Sequence, residues 1–281
     1  MKPSPETCRR LISFGTLGDN DIGLSETALV LAAAERPGVS VAVYERHLEK
    51  LTDDVAAYAG KDADSPEKGL DMRIEALQQI IAKRAGYGGS DTAYEDFECT
   101  NLMRVIDCRA GLPTLLGIIY LHVARSLGWT IEGLDFPPRF LVRLEFRGER
   151  RILDPFDGGR VLEPNDLRDI YKAVSGPHVE IQPAHTRAMS ARAIILRSRR
   201  NAKVLHLRSE NLEEALDVVE TLLLLAPGEP ALWREAGILN ARLDRVEEAV
   251  AALEEYLKNA GADTSRYRTS VLLQELRTRL N

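Results

Sequence analysis

The chain has 281 residues, 44% apolar and 28% charged, a composition typical of a soluble globular protein with room for two domains. Its net charge of −6 gives no whole-chain reason to expect nucleic acid as a partner. Three widely spaced cysteines and the lack of a signal peptide or a membrane-spanning apolar run favour a reducing cytoplasm, with no disulfide framework or zinc ribbon.

The N-terminal part of the chain reads as a tail followed by helices. Residues 1–20 are rich in Pro, Ser, Thr and Gly, which predicts a loose tail. Helical patterns follow at 25–34, 41–59 and about 65–85. The glycine-rich segment 86–90 lacks the following lysine of a phosphate-binding loop, so we expect no nucleotide there and no cofactor elsewhere.

A buried helix and a strand pair follow. The segment 113–127 is apolar on nearly all sides, which is typical of a helix inside a core. Residues 140–146 alternate between apolar and polar and predict a half-buried strand, with 150–153 as its antiparallel partner. A last helix at 163–172 closes an α+β domain, predicted to span residues 21–182.

The C-terminal part is internally repeated. The pattern at 212–216 (Leu-Glu-Glu-Ala-Leu) recurs at 246–250 (Val-Glu-Glu-Ala-Val), a shift of 34 residues. This period, with small residues where helices must approach closely, is typical of the tetratricopeptide repeat. We predict an all-α domain over 187–281, with a capping helix after the second repeat.

The two parts together resemble a bacterial family, the SirB-type proteins, in which a transglutaminase-like core is fused to tetratricopeptide repeats. The resemblance covers roughly residues 25–275. The stretches that carry it are Gly111–Leu115, Ala124–Gly128, Phe136–Arg143 and Leu153–Phe156. Each stretch alone is a weak signal, but the four in this order are specific. The resemblance implies a helical core with a small antiparallel sheet.

In active members of that wider superfamily, a cysteine opens the central helix, a histidine follows on a strand, and an aspartate orients the histidine. The resemblance places Thr114, Arg139 and Asp154 at these three positions. A threonine hydroxyl needs a strong base, and a guanidinium cannot accept a proton at neutral pH. The resemblance therefore implies the shape of an enzyme without its chemistry. We expect Arg139 and Asp154 to form a bidentate ion pair, and Thr114 alternatively to cap its helix.

Another cysteine could still act as the nucleophile. Cys108 lies six residues before Thr114, so a cysteine-dependent amidase or acyltransferase is an alternative function. Carboxylates next to Cys99 are expected to lower its reactivity, and His122 is interpreted as a core histidine with a hydrogen-bond partner. The sequence contains no histidine and cysteine pattern typical of a metal site.

A basic segment lies at the start of the repeats. Residues 187–208 include seven Lys or Arg and no acidic residue. One interpretation is a solvated helix face; the other is a strip at Arg197–Lys203 that binds an acidic partner or nucleic acid, although few aromatic residues accompany it.

The residues expected to bind a partner are Arg199, Arg200, Lys203, Trp233 and Asn240. The first hypothesis for function is a non-catalytic cytoplasmic adaptor or regulator that binds a protein or peptide through its repeats. The second is the cysteine enzyme, and the third is a nucleic-acid-associated regulator that uses the Arg197–Lys203 strip. Family resemblance alone does not decide among them.

Overall fold

A computed structural model describes residues 3–90, 92–261 and 264–280. Residues 19–198 form one compact unit, and residues 1–18 together with 199–281 form a second. The helices are α1 (Pro5–Thr16), α2 (Leu24–Ala34), α3 (Val41–Ala59), α4 (Gly69–Leu77), α5 (Leu102–Cys108), α6 (Pro113–Ser126), α7 (Pro164–Ser175), α8 (Ala191–Arg208), α9 (Leu212–Leu225), α10 (Pro230–Arg242), α11 (Val246–Asn259) and α12 (Thr264–Leu280). The strands are β1 (Thr130–Leu134), β2 (Leu141–Phe146), β3 (Glu149–Asp154) and β4 (Arg160–Leu162).

The 19–198 unit combines helices with one antiparallel sheet, which confirms the predicted α+β class. The sheet is a meander in the order β1-β2-β3-β4. In its central pair, Val142 lies opposite Leu153 and Phe146 lies opposite Glu149. The turn at Arg147-Gly148 has positive φ at both residues, as a tight hairpin with right-handed strand twist requires. This register brings the end of β3 beside the start of β2.

The central helix α6 lies in the core of this unit. Eleven of its 14 residues are buried, as its apolar sequence predicts. Gly117 lets α6 approach β2 closely, because a Cβ at that position would overlap the ring of Phe140. The ring is 1% exposed and has no room to move aside. Gly117 therefore fixes the spacing between α6 and the segment that begins β2.

In the second unit, α9 packs against α10, α10 against α11, and α11 against α12. The hairpin of α10 and α11, followed by α12, agrees with the predicted second repeat and its capping helix. Pro230 begins α10, and Pro227 lies in the turn before it, so neither removes a hydrogen bond from a helix interior.

Residues 3–20 are not a loose tail, so the prediction is wrong for them, and residues 1 and 2 lie outside the described part of the chain. Residues 3–20 contain α1, which begins where Ser4 accepts a hydrogen bond from the backbone N–H of Thr7. Leu11 and Phe14 are buried, and α1 packs against α9. Gly15 allows this contact, because a Cβ there would lie 2.6 Å from the carbonyl oxygen of Leu224. The serine and proline that suggested a tail are the cap and first residue of a helix.

The two units also differ from the predicted domains, 21–182 and 187–281. The boundary at 198/199 falls within α8, because the first part of that helix packs on the sheet unit. Ile194, for example, is buried and lies near Gly133 of β1. Loop residues at 183–190 therefore do not separate the units, although their composition suggested that they do.

Close packing of α10 on α11 depends on Gly237. A Cβ at this position would lie 2.5 Å from Cγ of the fully buried Leu253. We expect Gly237→Ala to lower the free energy of unfolding by about 1–2 kcal/mol, since overpacking outweighs the better helix propensity of alanine. Gly228→Ala is the matched control, because no atom lies within 4 Å of its added Cβ. Urea unfolding followed by circular dichroism measures both, and equal midpoints would reject this account of the interface.

Candidate functional site

The start of α6 carries Thr114. Leu112 is the N-cap residue, Pro113 is the first helical residue, and Thr114 is the second. No side-chain hydrogen bond caps this end of the helix, so the alternative prediction that Thr114 is the capping residue is wrong. Thr114 lies two positions beyond the N-cap residue, whereas a capping side chain must precede the helical turn whose N–H groups donate to it. Its side chain is 8% exposed.

Arg139 and Asp154 form an ion pair where β2 begins and β3 ends. Arg139 Nη1 donates to Asp154 Oδ2 at 2.6 Å. Only this contact joins the two side chains, whereas we expected a bidentate pair. The reason is that Asp154 Oδ1 accepts the backbone N–H of Phe156 at 3.0 Å. Asp154 is therefore satisfied from two directions, and its carboxylate is fully buried.

Aromatic side chains surround the guanidinium. The Arg139 Cζ atom lies 5.0 Å from the centre of the Phe156 ring, within cation–π range. Tyr94 lies beside Phe156, with ring centres 6.2 Å apart. Burial raises the pKa of Tyr94, and the nearby positive charge of Arg139 opposes that shift. The guanidinium is thus held by a carboxylate and an aromatic face, although its side chain is still 31% exposed. Sequence reasoning missed both aromatic residues.

This arrangement does not supply a general base at Arg139, because a guanidinium stays protonated and accepts no hydrogen bond. The nearest histidine along α6, His122, is used elsewhere. Its Nδ1 atom is 2.7 Å from Ser25 Oγ, which confirms the prediction of a core histidine with a partner. Burial lowers the pKa of His122, so the ring is neutral at neutral pH.

The free cysteines differ in their surroundings. Cys99 is buried, and burial, together with the carboxylate of Asp96, raises the pKa of its thiol to about 11. The carboxylate effect was predicted, but burial is the larger cause. Cys108 is exposed and is the last residue of the short helix α5. Among the described residues, no histidine forms a hydrogen bond with the Cys108 side chain.

Thiol labelling is expected to follow these differences. At pH 7.5, iodoacetamide should modify Cys108 first and Cys99 slowest. The raised pKa of Cys99 lowers its thiolate fraction at this pH by roughly one hundredfold relative to a thiol with an ordinary pKa. Labelling of Cys99 should accelerate as the pH rises towards 11. Peptide mass spectrometry over time measures each rate, and urea-unfolded protein is the control. Fast labelling of Cys99 in the folded chain would contradict this assignment.

The predicted basic strip on α8 is largely neutralised. Arg197 donates to Asp135 Oδ1 at 3.0 Å and to the carbonyl oxygen of Phe136 at 2.7 Å. Lys203 Nζ lies 2.5 Å from Glu235 Oε2. Of the remaining two candidates, Arg199 is buried and Arg200 is exposed. The strip is therefore not a continuous basic surface, because acidic residues distant in sequence pair with it.

The other two partner-binding candidates, Trp233 and Asn240, lie together on one concave surface, which we call the repeat groove. It has a volume of about 500 Å³ and is formed by α9, α10 and α11. The residues that line it are Glu220, Leu223, Trp233, Ala236, Asn240, Glu248, Ala251, Ala252, Glu254, Glu255 and Lys258. Sequence reasoning missed the four glutamates. Three of them lie on α11, on the same side as Ala251 and Ala252, and that spacing was the available signal, whereas Glu220 lies on α9.

Across residues 3–90, 92–261 and 264–280, no group of three or more His, Cys, Asp or Glu is arranged to hold a metal ion. Within the same ranges, no helix combines the length and the apolar character needed to cross a bilayer.

The 19–198 unit, which contains the buried helix α6 and the four-stranded sheet, includes most of the region that matches a known protein family. The family model described as transglutaminase-like superfamily matches residues 42–200, and a tetratricopeptide-repeat model matches residues 202–274. The chain belongs to the transglutaminase-like superfamily, and its second region is formed by tetratricopeptide repeats. This is the combination of domains for which the sequence analysis identified the SirB-type resemblance.

Its relatives are bacterial. A UPF0162 protein of Xylella fastidiosa is 27% identical over 229 residues, which is 80% of each chain. A UPF0162 protein of Pseudomonas aeruginosa is 29% identical over 204 residues, and this aligned region is 73% of this chain and 72% of the relative. A UPF0162 protein of Vibrio cholerae is 30% identical over 172 residues, which is 61% of this chain and 63% of the relative.

Proposed function

We propose that the protein is a non-catalytic adaptor or regulator of the bacterial cytoplasm, which binds a protein partner through the repeat groove. The observation that carries the proposal is the Arg139–Asp154 ion pair. In this proposal Thr114, Arg139 and Asp154 are the former triad positions, and the carboxylate that would orient a histidine instead holds a guanidinium. The free cysteines agree with a reducing compartment.

The groove supports a binding role for the second unit. Trp233 Nε1 donates to the carbonyl oxygen of Pro227 at 2.7 Å, which fixes the indole ring at the groove wall. A rigid aromatic side chain beside small residues is a common anchor in peptide-binding surfaces. Asn240 lies deeper and is 4% exposed. The surface thus combines an apolar wall with a polar group at its base, which suits an extended or helical peptide.

Affinity capture from a host lysate with the full chain and two single variants tests this function. Asn240→Ala removes the polar group in the groove, and Thr114→Val removes the hydroxyl at the start of α6 with little change in shape. We expect a partner, identified by mass spectrometry, to be lost with Asn240→Ala and retained with Thr114→Val. Equal capture by all three proteins would contradict a groove-based function. Loss only with Thr114→Val would place the function in the sheet unit.

The Cys108 alternative has less support, because no described histidine forms a hydrogen bond with that thiol. The nucleic-acid alternative has lost its main support, since Arg197 and Lys203 are paired with acidic side chains. Neither has a specific observation in its favour.

A further inference from the structure

The repeat groove is acidic. Four glutamates and one lysine line it, and the ammonium of Lys258 already lies 2.7 Å from Glu255 Oε2. Glu254 is paired with Arg277 at 2.7 Å. Glu248 forms no ion pair with any described residue. The groove therefore keeps an excess of negative charge, which attracts a cationic ligand and repels an anionic one.

Asn240 adds an unused hydrogen-bonding group. Its residue is 4% exposed, and its side-chain amide makes no hydrogen bond with another described residue, although it lines the groove. The amide atoms themselves stay accessible from the groove, so a ligand that enters the groove can pair with them. An amide can donate to one backbone carbonyl and accept from one backbone N–H, which is the pattern that an extended peptide presents.

Trp233 provides the apolar part of the same surface. Its ring is fixed by the bond to Pro227 and faces the groove beside Ala236. The aliphatic stem of a lysine or arginine can lie on such a ring while its charged end reaches a carboxylate. An acidic side chain gains nothing from this combination.

We propose that the repeat groove binds a basic, extended segment of a partner protein. Lysine or arginine side chains of that segment lie on Trp233 and face Glu248, and its backbone bonds to the amide of Asn240. This inference rests on the proposed function and names the chemistry of the partner for the same groove.

Three fluorescein-labelled peptides of equal length test the chemistry. Each alternates alanine, leucine and glycine with one polar residue, which is lysine, glutamine or glutamate. Fluorescence anisotropy with the full chain should show that the lysine peptide binds at least about tenfold more tightly than the glutamine peptide and that the glutamate peptide binds least. The preference should weaken as salt is added, because ions screen exposed charges.

Two neighbouring glutamates provide a matched pair of variants. Glu248→Gln should weaken the lysine peptide by about fivefold and leave the glutamine peptide unchanged. Glu247→Gln makes the same change of charge on an exposed residue of α11 that does not line the groove, so it should alter neither. Asn240→Ala should weaken binding of the lysine and glutamine peptides by equal factors, because the Asn240 amide bonds to the peptide backbone, which the two peptides share. Circular dichroism verifies that each variant is folded.

Several results would overturn the inference. Equal binding of the lysine and glutamine peptides, binding of neither, or equal effects of the Glu247 and Glu248 variants would each reject a basic ligand in the groove. Self-association that is lost in Glu248→Gln, measured by light scattering, would make a second copy the occupant and would also reject it. If these tests fail while Asn240→Ala still abolishes capture of a host partner, the proposed function stands and only the basic specificity is lost.

Discussion

The double variant Thr114→Cys/Arg139→His is expected to carry a thiol that reacts with iodoacetamide at about pH 6.5 roughly tenfold faster than Cys108 does in the same molecule. A thiol in the first turn of α6 lies at the positive end of the helix dipole. An imidazole in place of the guanidinium can be oriented by Asp154 and can stabilise the thiolate. Peptide mass spectrometry separates the two rates, and Cys108 is the internal reference.

Thr114→Cys/Arg139→Gln is the matched control for this variant. It contains the same new thiol and the same loss of the guanidinium, but it lacks an imidazole, so its thiol should react more slowly. Urea unfolding establishes that both variants are folded. If the two thiols react at equal rates, Thr114 and Arg139 do not lie together as the former triad positions, and the interpretation of this site as a degenerate triad is rejected.

Asp154→Ala is expected to cause the largest loss of stability, about 2–3 kcal/mol in the free energy of unfolding. The carboxylate is fully buried, it holds Arg139 at 2.6 Å, and it accepts the N–H of Phe156 at the turn after β3. Its removal leaves a partly buried guanidinium and a backbone donor without a partner. This expected loss of stability is smaller than that for breaking a fully buried ion pair, because the Arg139 side chain is 31% exposed.

Asp157→Ala provides the comparison. Asp157 lies three residues further along and pairs with Arg160 at 2.7 Å, but its side chain is 55% exposed. Water replaces such a contact at little cost, so we expect a change below about 0.5 kcal/mol. Chemical unfolding of both variants at one pH measures the difference. A similar loss of stability in both would show that burial of Asp154 is not the source of its effect.

Much of the fold follows from sequence periodicity, but short elements do not. The buried helix α6 and the hairpin of β2 and β3 have patterns long enough to predict. The strands β1 and β4 have five and three residues, and β1 includes Gly133, so alternation within them is too brief to recognise. Helix α1 was missed because its sequence resembles a tail until its contact with α9 is known.

The candidate site shows the same limit. The pairing of Arg139 with Asp154 was predictable, because their positions flank a hairpin whose register brings them together. The single contact was not, since it depends on the N–H of Phe156. The charge of α8 was misjudged because Asp135 and Glu235, distant in sequence, neutralise Arg197 and Lys203. The spacing of the glutamates on α11 was visible in the sequence, but the groove also requires α9 and α10 to meet α11, which no local pattern reveals.

The packing of α1 on α9 has a consequence for biosynthesis. Helix α1 leaves the ribosome well before α9, yet the two helices belong to the same unit. Their contacts close a loop of about 200 residues, which is slow to form and costs loop entropy. Residues 19–198 can fold as soon as they emerge, whereas α1 must wait until α9 has been synthesised. Folding during translation therefore completes the 19–198 unit before the unit that contains α1 and α9.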